Sequence, residues 1–227
     1  MYKIGILVFP GVTQLDFAGP IEVFARMPDV KISLVWKTLD PVVSQFGLKY
    51  CPDSTIVENV QYDLILVPGG FDCARLMIDS EILFWLKRQS ESAQYLTSVC
   101  TGSLVLAAAG LLRGYNAACH WGWAEHLRKF EANPTRERVV MDRNRITAGG
   151  VTSGIDFALK IVEMRCGRDL AEQIVLSLEY DPSPISGGVP ETARTEVVDA
   201  AKTRIAALNH SNDHIKMIDE AAARFSL

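Results

Sequence analysis

The sequence predicts an α/β protein: one doubly wound, mostly parallel sheet with helices on both faces, followed by C-terminal helices. Three observations carry that expectation. Short, nearly continuous apolar runs occur at residues 3–9 (KIGILVF), 62–67 (YDLILV) and 95–99 (YLTSV), as in strands covered on both faces. Helical apolar stripes of 10 to 15 residues separate such runs. Glycine or proline punctuates the carboxyl ends, as at Pro10-Gly11 and Pro68-Gly69-Gly70.

Taken in order, residues 3–9 form the first strand. Residues 14–27 carry Leu15, Phe17, Ile21, Val23 and Phe24, a helical stripe interrupted by Gly19-Pro20. Residues 31–39 are a second strand and 42–49 a hairpin-like excursion. After the 62–67 strand, a helix over 80–92 has Asp79 or Ser80 as its N-cap. The 95–99 strand runs through Cys100-Thr101-Gly102 into an Ala/Leu-rich helix, 103–112, ended by Gly114. A shorter helix covers 121–130. Residues 139–141 and 146–148 form a β-hairpin around Asp142-Arg143-Asn144. Gly149-Gly150 opens onto a long amphipathic helix, 152–166, with Ile155, Leu159 and Val162 on one face. Another helix spans 169–179. Pro182, Pro184 and Gly187-Gly188 then break the chain before helices at 191–208 and 212–225.

At 227 residues and 48% hydrophobic, the chain can bury its core as one domain, 1–227, with 181–227 as a helical extension. The apolar run at the start is too short for a signal-peptide core, so a cytoplasmic location is expected. A net charge of −4 and the lack of a basic block argue against nucleic acid as a partner. The five cysteines include no C-x-x-C pair, which fits free thiols better than a disulfide frame or zinc site. Cys51, Cys73 and Cys166 read as small buried hydrophobes; Cys119 stays open because His120 follows it. His210 and His214 stand four apart but lack a third ligand, so they read as surface histidines and no metal is expected.

Sites in open α/β sheets form beyond the carboxyl ends of strands, which is where Asp16, Gly69-Gly70 and Cys100 fall. Ser98-Val99-Cys100-Thr101-Gly102 has the small-residue flanks of a nucleophile elbow, although Ser98 and Cys100 replace the glycine and serine of G-x-S-x-G. A thiol at a helix N-terminus is expected to ionise more easily. The alternative for Cys100 is a core cysteine ending a strand. Backbone N–H groups at Gly70, Phe71 and Gly149, with that of Thr101, are candidates to stabilise charge on a reacting atom. Gly149-Gly150 also suits a close approach to the cysteine loop. Asp16 lies in an apolar stretch, either as an N-cap or as a carboxyl group beside the thiol, where burial favours its protonated form. His120 is a candidate for support or pocket lining around the site.

These pieces, in this order, resemble the DJ-1/PfpI superfamily, a relative of class I glutamine amidotransferases with a flavodoxin-like sheet. The resemblance rests on the strand and turn at 3–10, Asp16-Phe17-Ala18-Gly19-Pro20, Val67-Pro68-Gly69-Gly70, Val99-Cys100-Thr101-Gly102-Ser103, His120-Trp121 and 146–150, spanning about 3–180. Within it, Asp16 where many relatives carry Glu, Thr101 after the cysteine, and Glu179-Tyr180-Asp181-Pro182 with the residues that follow resemble the isonitrile-hydrating branch. The resemblance implies addition of water to an isocyanide through a covalent Cys100 thioimidate, with Asp16 moving the proton. It implies Thr101 as a helper, a homodimer, and no metal or organic cofactor.

Rival readings are a glyoxalase or deglycase of the DJ-1 type and a non-catalytic small-molecule or redox sensor. A protease reading is weakened because Thr101, not histidine, follows the cysteine. An amidotransferase reading lacks the late His-x-Glu motif at Val151-Thr152-Ser153. The sensor reading resembles the N-terminal halves of AraC-type regulators, but the tail is too short for two helix-turn-helix units.

Overall fold

The structure, a computed structural model, describes residues 1–211 and 213–225, with main chain alone at 210 and 211. Its elements are β1 (Tyr2–Leu7), α1 (Gln14–Phe24), β2 (Val30–Trp36), β3 (Val42–Val43), β4 (Lys49–Tyr50), β5 (Ser54–Thr55), β6 (Leu64–Val67), α2 (Cys73–Leu76), α3 (Ser80–Ser90), β7 (Tyr95–Val99) and α4 (Gly102–Ala108). They continue with β8 (Asn116–Ala117), a 3-10 helix at Ala124–Phe130, β9 (Asn133–Pro134), β10 (Val139–Asp142), β11 (Arg145–Ala148), α5 (Ser153–Cys166), α6 (Arg168–Ser177), α7 (Thr195–Ser211) and α8 (His214–Phe225). The main sheet has the order β10-β11-β7-β6-β1-β2-β5. Every neighbouring pair in it is parallel except the β10–β11 hairpin.

The central strands are mostly apolar because both faces are covered. Ile4, Ile6, Leu7 and all of β6 are buried. The hairpin expected near residue 42 forms as the antiparallel pair β3–β4. Asp79 caps α3, its Oδ1 accepting from the N–H groups of Glu81 (3.1 Å) and Ile82 (3.3 Å).

Several local expectations need correction. Pro20 does not interrupt α1, which runs on to Phe24. Pro20 lacks an N–H for the Asp16 carbonyl one turn back, and tertiary packing carries the helix across that gap. Gly19 lies against Ile155 of α5, and Phe24 meets Phe157 edge-on at 5.8 Å between centroids. The helix expected to end at Gly114 stops at Ala108, with Gly110 in the left-handed region at φ 77°. The 121–130 segment is a 3-10 helix beginning at Ala124.

His214 is not a surface residue. It is 2% exposed and packs on the Trp123 ring at 5.9 Å. His214, Ile218 and Ala221 form the buried face of α8, an i, i+4, i+7 stripe. The side chain of His210 and the start of the last helix at Asn212 lie outside the described residues. Cys51 is exposed and Cys166 half-buried, against the core positions expected for both; Cys73 is buried. Cys51 follows the end of β4 and Cys166 is the last residue of α5, positions that the neighbouring elements leave partly uncovered. Among the described residues, no helix is long and apolar enough to cross a membrane.

Candidate active site

Strands β7, β6 and β1 are adjacent in the sheet, and their carboxyl ends deliver Cys100, Gly69-Gly70 and the loop to Asp16. Cys100 follows β7 directly and holds φ at 59°, in the left-handed region that non-glycine residues rarely occupy. Such a conformation costs on the order of 1–3 kcal/mol and persists because its surroundings dictate it. The Cys100 N–H is fixed on the carbonyls of Gly149 (2.7 Å) and Ala148 (3.1 Å) at the end of β11. On the helix side, Ser103 is buried, bonded to Ser98 Oγ at 2.8 Å and donating to the Ala118 carbonyl at 2.6 Å. The elbow is thus pinned at both ends.

Gly102 is the steric key to that turn. A β-carbon there would lie 2.0 Å from the Val67 carbonyl oxygen. Gly102→Ala is therefore expected to cost at least about 1–3 kcal/mol, because backbone rather than a mobile side chain must yield. Urea denaturation checks this, and an unchanged midpoint would contradict it.

Asp16 is fully buried. It is not the N-cap of α1, a place that falls to Thr13, but sits inside the first turn. Its Oδ2 accepts the Gly69 N–H at 2.7 Å. Its Oδ1 has no hydrogen-bond partner among the described residues, and the Cys100 thiol lies near enough for the two groups to shift each other's ionisation. Burial pushes Asp16 up to about 7, opposed by the Gly69 N–H and then by the thiol. Gly69 has no room for a side chain. A β-carbon would stand 2.7 Å from both the amide nitrogen and Oγ1 of Thr101, and 2.8 Å from Asp16 Oδ2.

The thiol is not pre-ionised as its place at a helix N-terminus suggested. Cys100 is 6% exposed. Burial first, then the charge of Asp16, hold it well above the ordinary thiol range, and the Thr101 N–H only partly offsets them. Helix α4 is short, and the loss of solvent outweighs its dipole here. The resting state is a neutral thiol beside a carboxyl group that titrates near neutrality.

The expected backbone donors are already engaged. The Gly70 N–H donates to Thr101 Oγ1 at 3.1 Å, Phe71 N–H to the Gly11 carbonyl at 3.2 Å, and Gly149 N–H to the Arg138 carbonyl at 2.9 Å. The Thr101 hydroxyl bonds to Gly70 rather than to Asp16, so it braces the loop. The amide that does serve the sulfur is that of Thr101.

Cys119 and His120 border a cavity of about 270 Å³ beside the Gly149-Gly150 turn. His120 Nδ1 accepts the Gly122 N–H at 3.2 Å, which leaves the proton of the neutral ring on Nε2. Burial lowers its pKa, keeping the ring neutral. Cys100 does not line this cavity. It lies on the other partner of the same turn, through its bond to the Gly149 carbonyl. Burial holds the Cys119 and Cys73 thiols high, so neither competes as a nucleophile. Among the described residues, no group of three His, Cys, Asp or Glu side chains is placed to hold a metal ion. Sequence reasoning missed the cavity's outer wall, Gly188 to Glu191, because its Gly-Pro content signals only a break in the chain.

The chain is 45% identical over 226 residues to the isonitrile hydratase of Pseudomonas putida, covering 99% of this chain and 98% of that one. It is 32% identical over 192 residues to the HTH-type transcriptional regulator GbdR of Pseudomonas aeruginosa, covering 79% of this chain but 51% of the regulator. A crystal structure of a THiJ/PfpI family protein from Pseudomonas syringae superposes with a TM-score of 0.91 at 40% identity, covering 97% of this chain and 90% of that one. The DJ-1/PfpI family profile matches residues 2–164, the stretch that contains the elbow, the aspartate and the glycine turn, and the chain belongs to that family.

Proposed function

We propose that the protein is an isonitrile hydratase, converting R–N≡C and water to an N-substituted formamide. The observation that carries the reading is the pairing of a strained elbow thiol, Cys100, with a fully buried neighbouring carboxyl group, Asp16, whose Oδ1 is left without a partner among the described residues. Full-length similarity to the Pseudomonas putida enzyme supports it.

The terminal carbon of an isocyanide accepts both a nucleophile and a proton. Cys100 supplies the sulfur, and ionised Asp16 takes the thiol proton as the C–S bond forms. Asp16 then delivers that proton to the same carbon, giving the thioimidate R–N=CH–S–Cys. Water adds to this carbon, losing one proton to Asp16, which passes it to the nitrogen. Collapse of the tetrahedral adduct breaks the C–S bond, returns a proton to the sulfur and releases R–NH–CHO. Every bond and proton is accounted for by the chain and water. A slender, linear isocyano group suits a sulfur with so little exposed surface. Thr101 positions the loop and its amide supports the sulfur. His120 contributes to the pocket wall.

The assembly is a homodimer and the location cytoplasmic on this reading. Exposed Leu15, Val43, Phe46, Leu48 and Phe71 support association, because they crowd the loops around Asp16 and Gly70. Proton NMR of the purified protein with a simple alkyl isocyanide tests the activity by the formyl signal of the product. No formamide, with consumption of a dicarbonyl through Cys100, would transfer the assignment to glyoxalase-type chemistry. Retention of the small molecule without turnover would favour the sensor role of the regulator relatives.

A further inference from the structure

We propose that residues 187–193 form the outer wall of the substrate pocket and that Val189 selects the isocyanides admitted, favouring compact ones without negative charge; this rests on the hydratase reading. The cavity beside the Gly149-Gly150 turn has Cys119 and His120 on its inner side and Gly188, Val189, Pro190 and Glu191 on its outer side. Its inner wall adjoins the elbow, since Gly149, which lines it, takes the Cys100 N–H on its carbonyl at 2.7 Å.

The outer wall is a built turn rather than loose chain. The N–H groups of Thr192 and Ala193 both donate to the Val189 carbonyl, at 3.1 and 2.9 Å. A β-carbon on Gly187 would come within 2.5 Å of the Thr192 carbonyl oxygen, so the turn is closed on itself. Upstream, the Tyr180 hydroxyl donates to Asp156 Oδ2 at 3.0 Å, and the same carboxylate holds Arg138 at 2.6 Å. Downstream, Glu191 faces Arg136 at 3.9 Å.

The lining dictates the ligand class. Arg138 is neutralised by Asp156, and Arg136 stands between Glu125 and Glu191, each at 3.9 Å. The rim's guanidinium groups are thus matched by carboxylates, and Glu137 adds a negative charge unpaired among the described residues, so the rim offers no free cation to an anionic substrate. Val189 is 48% exposed and borders the cavity, an uncovered aliphatic surface that an alkyl or aryl group can cover. The volume of about 270 Å³ falls just below the ~300 Å³ at which drug-sized pockets begin, which suits a compact molecule.

The test compares kcat/KM for cyclohexyl isocyanide and ethyl isocyanide in wild type, Val189→Trp and Val189→Ala. Val189→Trp is expected to lower the cyclohexyl value by about 10-fold or more, chiefly through KM, while the ethyl value moves less than about 3-fold. Val189→Ala is expected to shift the ratio the other way. A cyclohexyl-to-ethyl ratio unchanged within about twofold in both variants, with active wild type, overturns the wall assignment alone. Wild type inactive on both isocyanides overturns the hydratase reading and this assignment with it.

Discussion

Replacing Cys100 by alanine is expected to lower kcat/KM for isocyanide hydration by at least ~10³-fold, because the covalent route disappears with the sulfur. Asp16 and solvent water remain, but no neighbouring group can take over. The Cys73 and Cys119 thiols are held high by burial, and the amides of Gly70, Phe71 and Gly149 are bonded elsewhere. The variant should stay folded. Alanine at φ 59° carries the same backbone strain as cysteine, and the elbow is held by Ser103 and by the Gly149 carbonyl rather than by the side chain. Its stability should therefore change by no more than about 1 kcal/mol, the scale of one small buried group. Mass spectrometry of acid-quenched wild type should show one isocyanide mass added at Cys100, absent from the variant. If Cys100→Ala keeps a tenth of the wild-type rate, the thioimidate route is wrong.

The parts of the site that were legible from sequence are those set by neighbouring residues. A strand that runs without a break through Ser98-Val99-Cys100-Thr101-Gly102 into a helix leaves only a sharp turn, and small flanks reveal how tightly it packs. The order of apolar runs likewise brings Asp16, Gly69 and Cys100 to one sheet edge, because βαβ connections place strand ends on the same side. What stayed hidden depends on contacts between distant segments. Glycine pairs advertise free amides, yet here Gly69 supports the aspartate and Gly70 the threonine hydroxyl. The Cys100 thiol looked easy to ionise from its place before a helix, whereas its solvent exclusion comes from walls contributed by β11 and α1. His214 and the 187–193 turn were missed for the same reason: a polar or Gly-Pro stretch does not say what it lies against.

Asp16→Asn is expected to make the protein both inactive and more stable at alkaline pH. The resting thiol is neutral, so attack requires a base, and only the ionised form of Asp16 serves. The kcat/KM of wild type should rise about tenfold per pH unit below neutrality and level off above about 7, following the carboxyl group. The asparagine variant should lose that limb along with about 10²–10⁴ of the rate. Stability runs the opposite way. The folded-state value of about 7 lies above the unfolded 3.8, so between them the folded chain binds more protons than the unfolded one. Stability from this group is complete below about pH 4 and is lost as pH rises through 7, at a total cost of about 4 kcal/mol. From pH 5 to pH 8 the wild type should lose about 2–3 kcal/mol by this route. Asparagine keeps an acceptor for the Gly69 N–H but has no charge to bury, so it should not show that loss. Urea titrations of both proteins at pH 5 and 8, beside the pH–rate profile, test the pair of claims. A flat wild-type rate from pH 5 to 8 would remove Asp16 as the base, and equal pH-dependence of stability in both proteins would remove it as the buried acid. The folded state thus tolerates a carboxylate it would rather protonate, and the active form of the site is the one in which that cost has been incurred.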